Sequence, residues 1–403
     1  MSSLVRGGSG RRVRAGTIAA FWLVLAWSRS TSAQESVTDV LSFLLTNRSI
    51  ATGDVVRDEQ AATAVRDTLS NFLLLELSTL PTVSSSTGFA YRVDRQLGGA
   101  VVRSSDNFGP FFVERSLTTG TRSPAVHVAY QEMAFNRIDG RPLTDGTLLA
   151  TAARFRGNLE PFDRETLSLR LRTRTVTLST TVGLADRLDV SAALPLVRLT
   201  LRGERIDTLR GVQSLQAAAQ ADSSGIGDLV VRAKYNVLRR GGSGIAVGAE
   251  TRLPTGKAEN LLGAGEASLK PTAIASLERQ RTAVHGEIGY SFGGLPHELD
   301  YGGAVTFVGA PRLTVVAEFL GRRLESLGRL EELVTPHPRL AAVETIRLTG
   351  VAEATHRLMA VGGIKWNVAA TWLLTASLVR PLTSAGLTAR VIPLVVAEYS
   401  FGQ

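Results

Sequence analysis

A set of ionisable residues in the last two thirds of the chain recurs at every second position: Arg232 and Lys234, Glu250 and Arg252, His285 and Glu287, with Glu318, Arg357, Lys365 and Glu398 placed the same way in their own segments. Both signs are present, and the residues between them are mostly small or apolar. Acids and bases spaced like this have two uses on a wetted interior surface: they brace it by cross-strand ion pairing, or they form a charged constriction that selects solutes. Catalytic uses fit worse. The chain has no cysteine, which removes thiolate nucleophiles, thiolate metal sites and disulfides together. An envelope hydrolase would need a serine, a histidine and an orienting polar partner grouped on one outward face, whereas His127 and His285 fall on the polar face of their segments and His356 begins one. The five histidines show no metal-ligand spacing. Pro254-Thr255-Gly256-Lys257 lacks the earlier glycine of a phosphate loop, and Ala258 stands where a Ser or Thr is required. The expectation is no catalytic residue, no metal and no cofactor.

A second set carries a single sign. Arg170, Arg172, Arg174, Arg198 and Arg202 hold even positions on two successive segments, while Leu167, Leu169, Leu171, Leu199 and Leu201 hold the odd ones. Guanidinium groups bind phosphate oxygens two at a time, so an outward ladder of arginines suits lipopolysaccharide phosphates. The leucines would then line a mouth. A bulge near Thr173 and Pro195 would reverse both directions.

Positions of this kind need extended elements with period two. Between Gly225 and Gly256, Leu229, Val231, Ala233, Tyr235 and Val237 share one face and Arg232, Lys234 and Asn236 the other. After a glycine-rich turn, Ile245, Val247, Ala249 and Leu253 lie opposite Ala246, Gly248, Glu250 and Arg252. Strands of this type are expected near 124–136, 164–183, 187–203, 226–238, 244–255, 267–278, 281–292, 298–308, 311–324, 354–368, 371–381 and 387–402. That is about twelve, even as single-chain bacterial barrels require. Connections alternate in length: short at 184–186, 239–243, 279–280, 309–310 and 369–370, longer at 137–163, 204–225, 256–266 and 325–353, with 293–297 and 382–386 only moderately long but in the correct alternate slots. Tight periplasmic turns and longer outer loops have this parity, which puts both termini in the periplasm. Around the turn at 184–186, Val176 is expected to face Leu194, Leu178 to face Ala192 and Val182 to face Leu188.

Aromatic residues fit the same frame. Tyr235, Trp366 and Trp372 lie beside short turns, where a periplasmic girdle belongs, and Tyr290 and Phe292 suit the opposite girdle. Tyr399 and Phe401 near the C-terminus resemble the signal read by barrel-assembly machinery, with Gly402 and Gln403 as two extra residues after it. Only 20% of residues are charged and 39 are glycine, yet no segment after the N-terminus reaches the roughly 18 uninterrupted apolar residues of a membrane helix.

Ahead of the strands the chain changes character. Arg6, Arg11, Arg12 and Arg14 precede an apolar run from Ala15 to Trp27, and Thr31-Ser32-Ala33 offers a cleavage site, so residues 1–33 read as a signal peptide. Removing its five arginines lowers the formal net charge from +9 to +4, which weakens any nucleic-acid reading. Residues 34–120 form a leader. Helical spacing of Val37, Val40, Leu41 and Leu44 is followed by a longer helix from Asp58 to Leu77, and then by short glycine-, serine- and aromatic-rich strands over 84–120. This leader is a plug candidate, and residues 121–403 form the barrel.

The segments GLADRLDVSAALPLV (183–197), GIGDLVVRAKY (225–235), ETRLPTGKAENLLGAG (250–265) and the closing AEYSFG resemble the Gram-negative outer-membrane family catalogued as phenol-degradation (MetA-pathway) transporters. Lys257 departs from the acidic residue of that family's loop, so no ion-binding role is carried over. The resemblance implies passage of aromatic or other apolar compounds across the outer membrane, and no catalytic positions. The expected fold is all-β: a transmembrane antiparallel up-and-down barrel with a helical and short-stranded N-terminal segment. The expected function is a passive channel or transporter for small molecules, with outer-membrane lipid, lipopolysaccharide, the assembly machinery and a small solute as partners. The rival is a structural or anchoring barrel, for which the lumen is packed shut.

Overall fold

The computed structural model describes residues 36–79, 84–94, 100–121, 123–293 and 297–401. The expected signal peptide, Gln34, Gly402 and Gln403 lie outside the described residues. Twelve long strands close into a ring: β1 (Pro124–Ile138), β2 (Asp163–Ala185), β3 (Leu188–Leu209), β4 (Leu229–Arg240), β5 (Ser243–Leu253), β6 (Ser268–Arg279), β7 (Thr282–Ser291), β8 (Glu298–Ala310), β9 (Leu313–Leu324), β10 (Thr355–Ala369), β11 (Trp372–Pro381) and β12 (Ile392–Ser400). Each pairs antiparallel with its neighbours in sequence, and β12 closes on β1, with Tyr399 opposite Val126 and Leu394 opposite Gln131. All the strands lie at or within a few residues of their expected positions.

Period two decides which side chains point out. Val126, Val128 and Tyr130 on β1, Val284 and Ile288 on β7, Val305 and Phe307 on β8 and Val315 and Phe319 on β9 all face away from the ring and are exposed. An apolar belt of this size on a closed sheet belongs in hydrocarbon, where only a ring satisfies every backbone donor and acceptor. Tyr235, Trp366, Trp372 and Phe401 are exposed at one rim of the belt. There Trp372 packs on Tyr399 with ring centroids 5.0 Å apart, and Tyr399 packs on Phe401 at 4.6 Å. Tyr290 and Phe292 stack at 4.8 Å on the other rim.

The connections divide by end. Two-residue turns at 186–187, 241–242, 280–281, 311–312 and 370–371 share one end with the start of β1 and the end of β12. Every long connection lies at the other end, and four of them contain strands, among them the short Leu387–Ala389, which pairs with β1. Val212–Ile226 pairs with β3, Leu148–Phe155 with β2, and Val343–Val351 with both Leu148–Phe155 and Arg329–Pro336. The expected loops at 137–163, 204–225 and 325–353 are thus partly sheet.

One register differs from expectation. Val176 faces Leu196, Leu178 faces Leu194 and Val182 faces Val190, because Ala185 pairs with Leu188 and Leu184 is left as a bulge between Gly183 and Ala185. The shift is two residues, so every side chain keeps its face. Above that bulge β2 and β3 pair without interruption to Asp163 and Leu209, so no bulge occurs at Thr173 or Pro195.

The leader begins with α1 (Val37–Leu45), capped by the Ser36 hydroxyl, which accepts from the Asp39 amide at 3.0 Å, and continues with α2 (Val55–Thr79). Gly53 at φ 73° turns the chain between them, and the Asp54 carboxylate accepts from the Arg57 amide at 3.1 Å to start α2. Both helices sit among the long connections: the Thr38 hydroxyl donates to the Glu259 carbonyl at 3.1 Å, and the His337 ring pairs with the Ala51 carbonyl at 2.9 Å. Residues 84–94 and 100–120, with a small sheet in which Tyr91 pairs with Arg103, lie inside the ring toward the turn end. The described chain therefore starts at the loop end and finishes at the turn end. The expected placing of both termini on one side concerns chain ends that lie outside the described residues.

At the exit Gly183 of β2 lies directly against the backbone of Gly120, itself at φ 99°, and a Cβ at 183 would run into the Gly120 carbonyl. Gly183→Val is expected to leave the ring intact, seen as heat-modifiable migration on gels, while trypsin cuts the leader at Arg103 and Arg115 several-fold faster. Unchanged cleavage would show that this contact does not seat the leader.

Candidate functional site

The lumen is the site, and its wall has two chemistries. On the loop-end half of β2 and β3 the inward residues are Leu167, Leu169, Leu171, Leu199 and Leu201, none more than 2% exposed. They form one cluster with Leu41 and Leu44 of α1 and Leu69, Phe72 and Leu73 of α2. The leucines do point into the mouth, but the leader's helices cover them. Gly203 of β3 has the Leu44 side chain where its own Cβ would stand, which is how closely α1 approaches the wall.

Ion pairs pin the helices. Arg205 and Glu165, fully buried on β3 and β2, form a salt bridge; Arg205 donates to the Leu44 and Leu45 carbonyls at 3.2 and 2.7 Å, capping the C-terminus of α1. Glu165 in turn accepts from the Ser49 amide at 3.2 Å. Asp58 near the start of α2 pairs with Arg347, and Glu76 near its end pairs with Arg357 of β10, whose guanidinium also donates to the Leu387 carbonyl at 2.8 Å.

The turn-end half is polar and holds backbone. Glu318 of β9 accepts from the amides of Phe111, Phe112 and Val113, the last two at 3.0 and 3.3 Å. Glu287 of β7 accepts from the Glu114 amide at 2.9 Å, Glu398 of β12 from the Gly88 amide at 2.9 Å and Asp189 of β3 from the Thr119 amide at 2.8 Å. Lys365 of β10 donates to the Phe108 and Pro110 carbonyls, and Lys234 of β4 to the Ser86 hydroxyl at 2.7 Å and the Arg115 carbonyl at 3.2 Å. His285 of β7 bonds Ser276 at 2.9 Å, and the Ser276 hydroxyl accepts from the Ser116 amide at 2.9 Å. An irregular segment must place its N–H and C=O groups somewhere, and here wall charges take the place of a neighbouring strand.

Between these halves, against β4 to β9, a cavity of about 130 Å³ remains. A chain of opposite charges borders it. Arg232 meets Glu250 at 2.6 Å, as their cross-strand pairing dictates, and Arg252 lies 3.5 Å from Glu250. Lys270 is 3.6 Å from Asp300, and Arg322 pairs with Glu298 and, at 3.3 Å, with Asp300. No group of three or more metal-ligating side chains occurs among the described residues.

All of the lumen candidates thus face inward, yet they act in two groups: Arg232, Glu250 and Arg252 border the cavity, while Lys234, His285, Glu287, Glu318, Lys365 and Glu398 engage residues 84–120 directly or through one side chain, and Arg357 holds α2. Reading by period missed Lys270, Glu298, Asp300, Arg322, Asp189 and the Glu165–Arg205 pair. Lys270 shares its face with Ile274, flanked by Ala273 and Ala275, so the polarity contrast on β6 is faint. Asp189 and Glu165 follow the alternation and were legible as inward positions. The arginine set, Arg170, Arg172, Arg174, Arg198 and Arg202, points outward and is exposed. Arg170 pairs across strands with Arg202 and Arg174 with Arg198, and Glu132 lies 3.3 Å from Arg172 and 3.5 Å from Arg174.

Residues 153–308 match the family model described as "Putative MetA-pathway of phenol degradation", the family that the sequence motifs resemble. Three of the four motif segments lie inside that match. No curated protein matches. Similar solved structures include the COG4313 outer membrane channel from Pseudomonas putida F1, at 15% identity over 70% of this chain and 97% of that one with a TM-score of 0.44. Others are the translocator domain of the autotransporter NalP from Neisseria meningitidis (11%, 70% and 89%, TM-score 0.37) and the CymD monoaromatic hydrocarbon channel (9%, 70% and 88%, TM-score 0.26).

Glu318 serves more leader amides than any other wall residue described. Glu318→Ala orphans these amides at a cost of about 1–3 kcal/mol for each buried group. Hydrogen exchange of the amides at 111–113 is expected to quicken at least about tenfold, the equivalent of about 1.4 kcal/mol, with a smaller effect for Glu318→Gln, which keeps one acceptor oxygen. Equal exchange in wild type and Glu318→Ala would remove this carboxylate from the account.

Proposed function

We propose that this chain is an outer-membrane channel for passive movement of small molecules, closed in the described state by its own leader. The observation that carries the reading is a membrane-spanning ring whose lumen is occupied by a non-covalently seated part of the same chain, with a charged cavity beside it. A seat made of leucine packing and hydrogen bonds is reversible in a way that a lumen filled by wall side chains is not. The solute class follows from what the leader covers. Displacing α1 and α2 bares a leucine-rich mouth suited to aromatic or other apolar compounds, the class implied by the family resemblance.

Turn lengths support an orientation in which tight turns face the periplasm and the long connections face outward. Arg170, Arg172, Arg174, Arg198 and Arg202 then stand above the apolar belt in the outer leaflet, where lipopolysaccharide phosphates lie. Tyr399 and Phe401 on the closing strand are the surface offered to barrel-assembly machinery. The competing reading, a structural or anchoring barrel, draws on the near-complete burial of the mouth leucines, which is what a permanently filled lumen would have.

Swelling of proteoliposomes separates the two readings. Full-length protein is expected to pass small solutes slowly, and protein lacking residues 34–120 to pass them several-fold faster. No permeability in either form overturns the channel reading. For the arginines, Arg170→Glu with Arg202→Glu is expected to lower co-purifying lipopolysaccharide severalfold without loss of folded barrel. Unchanged lipopolysaccharide content would reject that contact.

A further inference from the structure

We infer that the barrel exports part of itself: residues 36–79 reach the cell surface by way of the lumen, and the wall charges that hold residues 84–120 form the track along which the leader is drawn out. The inference rests on the orientation proposed above. It starts from connectivity. α1 and α2 lie among the long connections, Thr119 is bound at Asp189 near the turn end, and β1 begins at that same end. The chain between α2 and β1 therefore crosses the ring from one end to the other. The ring offers no side passage, because every one of its strands is hydrogen-bonded to both neighbours. Residues 36–79 must pass through the lumen, or the wall must close around a leader already in place. The main-chain contacts of the wall favour the first route.

The track has the chemistry that this task needs. Glu398, Asp189, Glu287 and Glu318 bind main-chain N–H groups, and Lys365 binds main-chain carbonyls. Contacts to main chain do not depend on which side chains are passing, so the same wall can bind successive stretches of an extended polypeptide. The surface that does select side chains, the leucine-lined mouth, lies at the far end. There α1 and α2 bury the leucine, valine and phenylalanine side chains of their inner faces. Helix formation at that point would hinder return, since the two helices side by side, each about 10 Å across, are wider than an extended chain.

The absence of cysteine makes the test direct. Three full-length single-cysteine variants at exposed positions are compared: Glu59→Cys on α2, Arg339→Cys in a long connection of the barrel and Arg281→Cys in a tight turn. Intact cells are treated with a membrane-impermeant maleimide. Glu59→Cys is expected to label to the same extent as Arg339→Cys, with Arg281→Cys labelling only after the envelope is opened. Labelling at Arg339→Cys with protection at Glu59→Cys overturns the export of the leader while leaving the orientation standing. Protection at both overturns the orientation, and the inference with it.

Discussion

A backbone N–H or C=O group facing hydrocarbon without a partner costs several kcal/mol, and this one penalty organises the whole molecule. It forbids a free sheet edge, so β12 returns to β1 and the wall becomes a ring. Closing a ring of this size creates a second difficulty. The interior is too wide for wall side chains of moderate size to fill, and the leader fills it. That leader carries irregular backbone with its own unpaired groups, and the wall must answer them from side chains. The carboxylates and lysines inside the barrel are the consequence of hydrogen-bond accounting carried one layer inward from the lipid.

What could be read in advance tracks how local the cause is. Alternation such as Tyr235, Val237 against Lys234, Asn236 is written within a few residues by the contrast between lipid and lumen, and so strand positions, turn parity and part of the inward charge set were legible, while Lys270, Glu298, Asp300 and Arg322 were passed over. The extensions at Val212–Ile226 and Val343–Val351 were read as loops because the wall above the membrane meets water outside. In Gln213-Ser214-Leu215-Gln216 the lipid-facing contrast is gone, and period two fades with it. The register was displaced by the turn's falling at 186–187, partly offset by one bulged residue, Leu184, and no hydrophobic pattern records either.

The leader shows the opposite limit. Its helices were visible from Val37, Val40, Leu41 and Leu44, and its short strands from composition. Its position was not, because that depends on contacts between residues far apart in sequence. Glu318 and Phe111 are 207 positions apart, and Arg205 and Leu45 are 160 apart. The same distance explains why the sequence names a leucine-lined mouth and a plug candidate without joining the two. Alternation tells which way Leu169 points; it cannot tell what stands opposite.

The interior is divided by arc as well as by depth, and the division accounts for where the empty space lies. Inward residues of β2 and β3 near the mouth are leucines, and the apolar faces of α1 and α2 settle on them, since burying a leucine is worth about 1.5–3 kcal/mol. Inward residues of β4 to β9 at similar depth are Arg252, Lys270, Glu298, Asp300 and Arg322, already paired with one another. An apolar helix face gains nothing against that arc and would strip water from its ions, so the leader leans away and the cavity stays on the charged side. On the channel reading proposed above, two solute classes meet different obstacles in the same lumen. A polar solute enters a space that already exists and is stopped below it, where Lys234 and Glu287 hold residues 84–120. An apolar solute has no surface to bind until it competes with the helices for the leucines, so its affinity and the leader's release are a single equilibrium.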